Sequence, residues 1–113
     1  MTDCLFCKFV SGEITADVVH ETDTTLAFRD INPQAPTHVL VVPKAHHANA
    51  FALAAAAPAV MADLVAAAGA VAEQDGLDGG YRLVFNTGAE AGQTVFHVHC
   101  HVLGGRPMKW PPG

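Results

Sequence analysis

Hydrophobic and polar positions alternate in several short runs of this chain, and in one long run they fall at helical spacing instead. Met61, Leu64, Val65, Ala68, Val71 and Ala72 recur three and four residues apart, which gathers the bulkier side chains on one stripe of a helix. Pro58 suits the first turn of that helix, where its missing N–H would be unpaired anyway. Gly76 followed by Leu77 suits its end. The pattern predicts a helix over 58–75, and Leu5 to Val10 predicts a short N-terminal helix ending near Gly12. Strands are predicted at Val18 to Glu21 and Leu26 to Arg29, with Asp23-Thr24 as the hairpin turn between them. Three more are predicted at His38 to Val42, Tyr81 to Asn86 and His97 to Leu103, the last alternating strictly and stopping at Gly104-Gly105. Parallel neighbours need crossovers of a dozen or more residues, and only the long helix supplies one. The expected class is α+β: a five-stranded, mainly antiparallel sheet with one long helix and a short N-terminal helix.

Composition narrows the function classes. A chain of 113 residues fits one domain, 1–113, with half its residues apolar and 15% charged. A core of this size is expected to draw on a metal, a partner subunit or both. Six basic against eleven acidic side chains give a formal charge of −5, which argues against sequence-independent nucleic-acid binding. Ala50 to Ala72 is the one candidate membrane span. It carries Pro58, Asp63 and Gly69 and is otherwise largely alanine, which drives insertion weakly, so no membrane association is expected. No basic region followed by an apolar stretch opens the chain, so no secretory signal is expected. With that, an odd count of three cysteines reads as reduced thiols in a cytoplasmic protein.

The segment His97-Val98-His99-Cys100-His101-Val102-Leu103 carries the most chemistry. On a strand, His97, His99 and His101 share one face, and apolar Val98, Cys100 and Val102 share the core face. Histidine titrates near neutrality and serves as nucleophile, acid, base or ligand. One ion cannot hold all three: His97 and His101 lie about 13 Å apart along a straight strand, and a metal needs each nitrogen at about 2.0–2.1 Å. At least one imidazole has another task. Upstream, Asn86 to Thr94 is a glycine-bearing loop whose backbone N–H groups can face an anion, or can simply form a turn.

With these residues in view, the His-x-His-x-His run resembles the signature of the histidine triad family. Three further stretches resemble its Hint branch: Asp30 to His38, Gly92 to His97, and the closing Val102 to Gly113, which reads VLGGRPMKWPPG. The similarity runs from about Leu5 to Gly113 and is weakest in the alanine-rich helix. It implies the histidine-triad fold and a homodimer whose two sheets join. It also implies a hydrolase that binds purine nucleoside monophosphate conjugates, cleaves 5′-phosphoramidates or aminoacyl-adenylates, and releases the nucleoside monophosphate. Carried over residue by residue, His99 matches the nucleophile that forms a covalent nucleotidyl-imidazole, and His101 matches a hydrogen-bond donor to phosphoryl oxygens. His38 matches a fourth histidine supporting the nucleophile, and His97 is the first member of the triad. Asn86, Gln93, Thr94 and Val95 match phosphate or leaving-group contacts; Thr94 stands where the family often has serine. Asp30 matches the ribose-binding acid. Leu5, Phe6, Phe9, Phe28, Ile31 and Leu40 match the base pocket, although the same residues read equally as core. Trp110 resembles a residue that reaches the partner's active site.

Cys4-x-x-Cys7 has the spacing of a zinc half-site or of a redox pair. In similar bacterial triad proteins the two cysteines join a histidine after a Pro-Lys turn and the first triad histidine in a structural zinc site. Here those are His46 and His97, with His47 an alternative to His46 on sequence grounds. The expected cofactor is structural zinc, with no organic cofactor. Three competing functions stay open at this point: a dinucleoside polyphosphate hydrolase, against which the short tail argues; a nucleotide-binding scaffold with incidental activity; and a mononuclear metal hydrolase, disfavoured by the strand-span geometry.

Overall fold

A computed structural model describes residues 4–113 of the chain. Its first element, α1 (Leu5–Ser11), is capped by the Cys4 sulfur, which accepts the Cys7 N–H at 3.3 Å, and is stopped by Gly12 at φ 82°. Strands β1 (Val18–Glu21) and β2 (Thr25–Arg29) form the predicted hairpin, followed by β3 (Thr37–Pro43). Two helices follow, α2 (Ala50–Ala56) and α3 (Pro58–Gln74), then β4 (Tyr81–Val84) and β5 (Cys100–Gly104). The sheet runs in the order β1-β2-β3-β5-β4, and every neighbouring pair is antiparallel.

Three departures from the sequence expectation have physical reasons. The helix α2 was not foreseen; Asn49 caps it by accepting the Ala52 N–H at 2.9 Å. It breaks at Ala57 (φ −149°, ψ 70°) because the residue before a proline is pushed out of the helical region. On α3, Ala67 is buried and Val65 is 47% exposed, so Val65 lies off the predicted stripe. The ladder of β5 starts at Cys100 rather than His97, and β4 ends at Val84 rather than Asn86. Upstream of Cys100 the chain bends away, and the Val98 N–H bonds the His47 carbonyl at 2.7 Å instead of a strand neighbour.

The sheet has two different faces. Ala27, Val39, Val41, Cys100 and Val102 point to α2 and α3 and pack with Leu53, Leu64 and Val71 in one core. The opposite face is covered at one end by α1, where Phe6 packs with Leu26, Phe28, Leu40 and Val42. Arg29 and Asp75 join the first layer to the sheet through a two-bonded fork of 2.8 and 3.0 Å, and the Thr37 hydroxyl donates to the same carboxylate at 2.8 Å. No helix is long and apolar enough to cross a membrane among the described residues.

Candidate active site

Alternation along β3 and β5 turns His38, Leu40 and His101 to the α1 side of the sheet. The antiparallel register sets Leu40 opposite His101 and His38 opposite Leu103. A cavity of about 380 Å³ opens there, of the size usual for small-molecule sites. Leu5, Phe6 and Phe9 of α1 line it with Phe28, Ile31 and Leu40. The rings lock this wall: Phe6 and Phe9 meet Phe28 edge-on at 5.4 and 5.0 Å, and Phe6 meets His99 at 5.1 Å. Ile31 is fully exposed at the mouth. Asp30, Thr94, Val95, His99 and His101 supply the polar rim and backbone. Thr15, Ala16 and Asp17, in the loop after α1 where the sequence offers no periodic signal, and Arg29 at the end of β2 also line the cavity and were missed from the sequence.

Main-chain partners assign the protons of His99 and His38, and His38 assigns that of His101. The His99 Nδ1–H donates to the His97 carbonyl at 2.9 Å, so Nε2 keeps its lone pair. The Gln34 N–H donates to His38 Nδ1 at 3.0 Å, so neutral His38 carries its hydrogen on Nε2. That hydrogen is donated to His101 Nδ1 at 2.9 Å, which leaves the His101 proton on Nε2. His101 Nε2 is buried and has no partner among the described residues, an orphan donor of the kind that marks a ligand position. Burial holds all of these rings neutral. It pushes His38 and His99 below the usual imidazole value against the pull of Asp30, and it takes His101, beside His99 and His38, down to about 4. A neutral, nucleophilic nitrogen and a neutral N–H donor thus stand next to each other, with ring centroids 5.0 Å apart.

Several expected contacts lie elsewhere. His97 is wholly buried and does not line the cavity; its Nε2–H donates to the Pro43 carbonyl at 2.8 Å, and Nδ1 faces the cysteines. His38 also stays behind the cavity wall and reaches it through His101. Gln93 is 3% exposed with its amide spent internally: Oε1 accepts the Gly88 N–H, and Nε2 donates to the carbonyls of Ala48 and Val95. It clasps the loop and has no free atom for a ligand. Asn86 lies beside Gly92 and does not line the cavity. Trp110 is 82% exposed and stands apart from this chain's own cavity.

Cys4 Sγ, Cys7 Sγ, His46 Nδ1 and His97 Nδ1 all lie within 4.8 Å of one another. Three of the four sulfur–nitrogen separations, Cys4–His97, Cys7–His46 and Cys7–His97, are 3.3, 3.5 and 3.5 Å. Tetrahedral zinc with ordinary bond lengths sets a sulfur and a nitrogen about 3.6 Å apart. The donor set is closed and soft, and the Pro43 carbonyl fixes His97 in the tautomer whose Nδ1 lone pair faces the cysteines. His46, not His47, occupies the fourth corner. A second group, Asp30, His38 and His101, also clusters. It suits an ion poorly: His38 Nε2 already carries a hydrogen, and freeing its lone pair would set a ring proton against the Gln34 N–H.

The family model of the HIT domain matches residues 11–108. A protein of Zea mays named a 14 kDa zinc-binding protein is 47% identical over 112 residues, covering 96% of this chain and 87% of that one. A protein of Arabidopsis thaliana named an adenylylsulfatase is 44% identical over 112 residues, covering 96% of this chain and 76% of that one. The crystal structure of a HIT family hydrolase from Legionella pneumophila superposes with a TM-score of 0.94. It is 50% identical and covers 98% of this chain and 100% of that chain.

Proposed function

Because this chain belongs to the HIT-domain family, we propose that it is a nucleotide-binding hydrolase that cleaves the P–N bond of purine nucleoside 5′-phosphoramidates or the P–O anhydride bond of aminoacyl-adenylates. The observation that carries the reading is the proton arrangement at the cavity: a bare His99 Nε2 beside the unpartnered His101 Nε2–H. In this reading the base lies between α1 and Phe28, and the Asp30 carboxylate accepts the ribose hydroxyls. His99 Nε2 forms a bond to phosphorus while the P–N bond breaks, and the departing amine takes a proton from solvent, which the attacking water of the next step returns. Water then cleaves the nucleotidyl-histidine, and the monophosphate departs. His101 Nε2–H and the backbone around Thr94 and Val95 bind the phosphoryl oxygens as their charge grows. The His97 carbonyl holds the His99 ring through both steps and stabilises the charge it acquires.

Cys4, Cys7, His46 and His97 would hold zinc, which would tie α1 to the segment that carries the nucleophile. The reading includes a homodimer. It is supported by the exposed edge strand β4 and by the exposed apolar side chains of Val65, Tyr81 and Trp110. The adenylylsulfatase name of one relative supports a second substrate, adenylyl sulfate, at the same phosphorus. The test is acid quenching during turnover of an AMP–amine conjugate, with mass spectrometry of the digest. One AMP on His99 is expected, and none in His99→Gly, which is expected to bind AMP and not turn over. Full turnover by His99→Gly would end the covalent reading, and parallel rates on adenylyl sulfate and dinucleoside polyphosphates would rank the substrates.

A further inference from the structure

Gly105 turns the chain just after β5. Gly105 has φ +90°, and a Cβ there would meet the Pro36 Cβ at 2.8 Å. The tail is therefore pressed against the loop from Asp30 to Pro36. That loop is exposed at Ile31, Asn32, Pro33 and Gln34 and has no ladder to hold it. Its shape rests on a few polar bonds: Asn32 N–H to Asp30 Oδ1 at 2.8 Å, Asp30 N–H to the His38 carbonyl at 3.0 Å, and the Gln34 amide to the Asn32 carbonyl at 3.0 Å. One contact comes from outside. The Arg106 guanidinium donates from Nε and Nη2 to the Gln34 carbonyl, at 3.2 and 3.0 Å, and its Nη1 donates to the Pro107 carbonyl at 3.1 Å.

Gln34 is thus gripped from both ends. Its carbonyl takes the arginine fork, and its N–H, together with the Asp30 carboxylate 3.5 Å from His38 Nε2, selects the tautomer of His38, which in turn selects that of His101. We propose that Arg106 is a positioning residue of the phosphoryl-transfer site: through the main chain of Gln34 it keeps His38 in its Nε2–H form and so keeps His101 Nε2–H pointed into the nucleotide cavity. The proposal deepens the function proposed above and rests on it for the kinetic arm only. A charged fork on one carbonyl is a strong hydrogen bond, and a guanidinium does what an ammonium cannot, because two of its N–H groups converge on one oxygen. Arg106 itself is exposed and touches neither His99 nor His101, so its effect passes through the loop.

The test uses the whole chain, with Arg106→Met, which keeps the stem and loses the donors, and Arg106→Lys. Long-range ¹H–¹⁵N correlation spectra read which ring nitrogen of each histidine is protonated, whatever the activity. The wild type is expected to show His38 and His101 as single Nε2–H tautomers. Arg106→Met is expected to move both toward exchanging mixtures. It is also expected to lose about 10- to 100-fold in kcat for the AMP–amine conjugate, with KM and AMP affinity changed less than about 3-fold. Arg106→Lys is expected to recover part of the kcat and part of the tautomer signal. Gln34→Ala keeps the backbone N–H and carbonyl but loses the side-chain bond to the Asn32 carbonyl, and is expected to move the tautomers and kcat less than Arg106→Met does. Unchanged tautomers and kcat in folded Arg106→Met would overturn the proposal. A rise in KM with intact tautomers would also overturn it, and would make Arg106 a substrate contact. If the wild type turns over no phosphoramidate, the spectra alone decide the positioning role.

Discussion

The carboxylate of Asp75 offers a sharp test of how the layer of helices is fastened to the sheet. It ends α3, is 13% exposed, and accepts three hydrogen bonds: two from Arg29 on β2 and one from the buried Thr37 hydroxyl on β3. Asp75→Ala removes all three. The Arg29 side chain is 37% exposed, so water takes over much of its share, and that fork is worth about 1 kcal/mol. Thr37 is 5% exposed, and its orphaned hydroxyl costs about another 1 kcal/mol. The expected loss is about 2 kcal/mol at pH 7. The Arg29 fork, aided by Thr37, holds the Asp75 carboxyl below its ordinary value of 3.8 despite burial. A depressed folded pKa means that the unfolded chain binds the proton more readily. The stabilisation is therefore complete above 3.8 and is lost as pH falls through the lower folded value. Urea unfolding of both proteins at pH 7, 5 and 3, metal-free throughout, is the assay. The gap between them should match at pH 7 and 5 and narrow at 3. A gap below about 0.5 kcal/mol at neutrality, or one that persists unchanged at pH 3, would refute the reasoning.

Four further outcomes are expected. Metal analysis of dialysed protein should give one zinc per chain. Cys7→Ser should weaken zinc binding by at least about 10-fold and, because α1 carries Leu5, Phe6 and Phe9 into the cavity, should also raise the AMP Kd in calorimetry; unaltered AMP affinity would uncouple helix and site. Gln93→Ala should cost about 1–3 kcal/mol in thermal or urea unfolding, since Gln93 is the buried clasp of an otherwise exposed loop and its loss leaves the Gly88 N–H and the Ala48 and Val95 carbonyls without their side-chain partner. Cys100 is buried and its thiol is pushed up to about 12, so folded, chelator-treated protein should consume two equivalents of a thiol reagent at neutral pH, from Cys4 and Cys7, and the third only on denaturation.

The five strands were readable from the sequence because a two-residue period survives in β-branched and aromatic runs. The α3 stripe was misphased at Val65 and Ala67 because alanine is equally at ease in core and solvent, and α2 has Leu53 as its sole buried marker. In the site, His99 and His101 stood out in the histidine run, Asp30 and the apolar wall came from the family resemblance, and Thr15, Ala16, Asp17 and Arg29 were not named. The atoms that set the imidazole protons were not named either: the Gln34 N–H and the Pro43 carbonyl are main chain, and every sequence carries such groups at every such position. A carbonyl partner for His99 was foreseeable from the chemistry, but its owner, His97, emerged only with the bend that turns that residue toward the cysteines. Gln93 was misjudged for a related reason, since an amide in a glycine-rich loop serves as well to brace the loop as to greet a ligand.

His97 touches three things at once: the thiol pair through one ring nitrogen, Pro43 through the other, and the reactive imidazole through its own carbonyl. Only the first two depend on which side chain sits there. A descendant of this chain could exchange His97, abandon the cysteine cluster and still orient its nucleophile, because no substitution deletes a peptide oxygen. The ion and the reaction are in this sense separable inheritances, joined at a single residue.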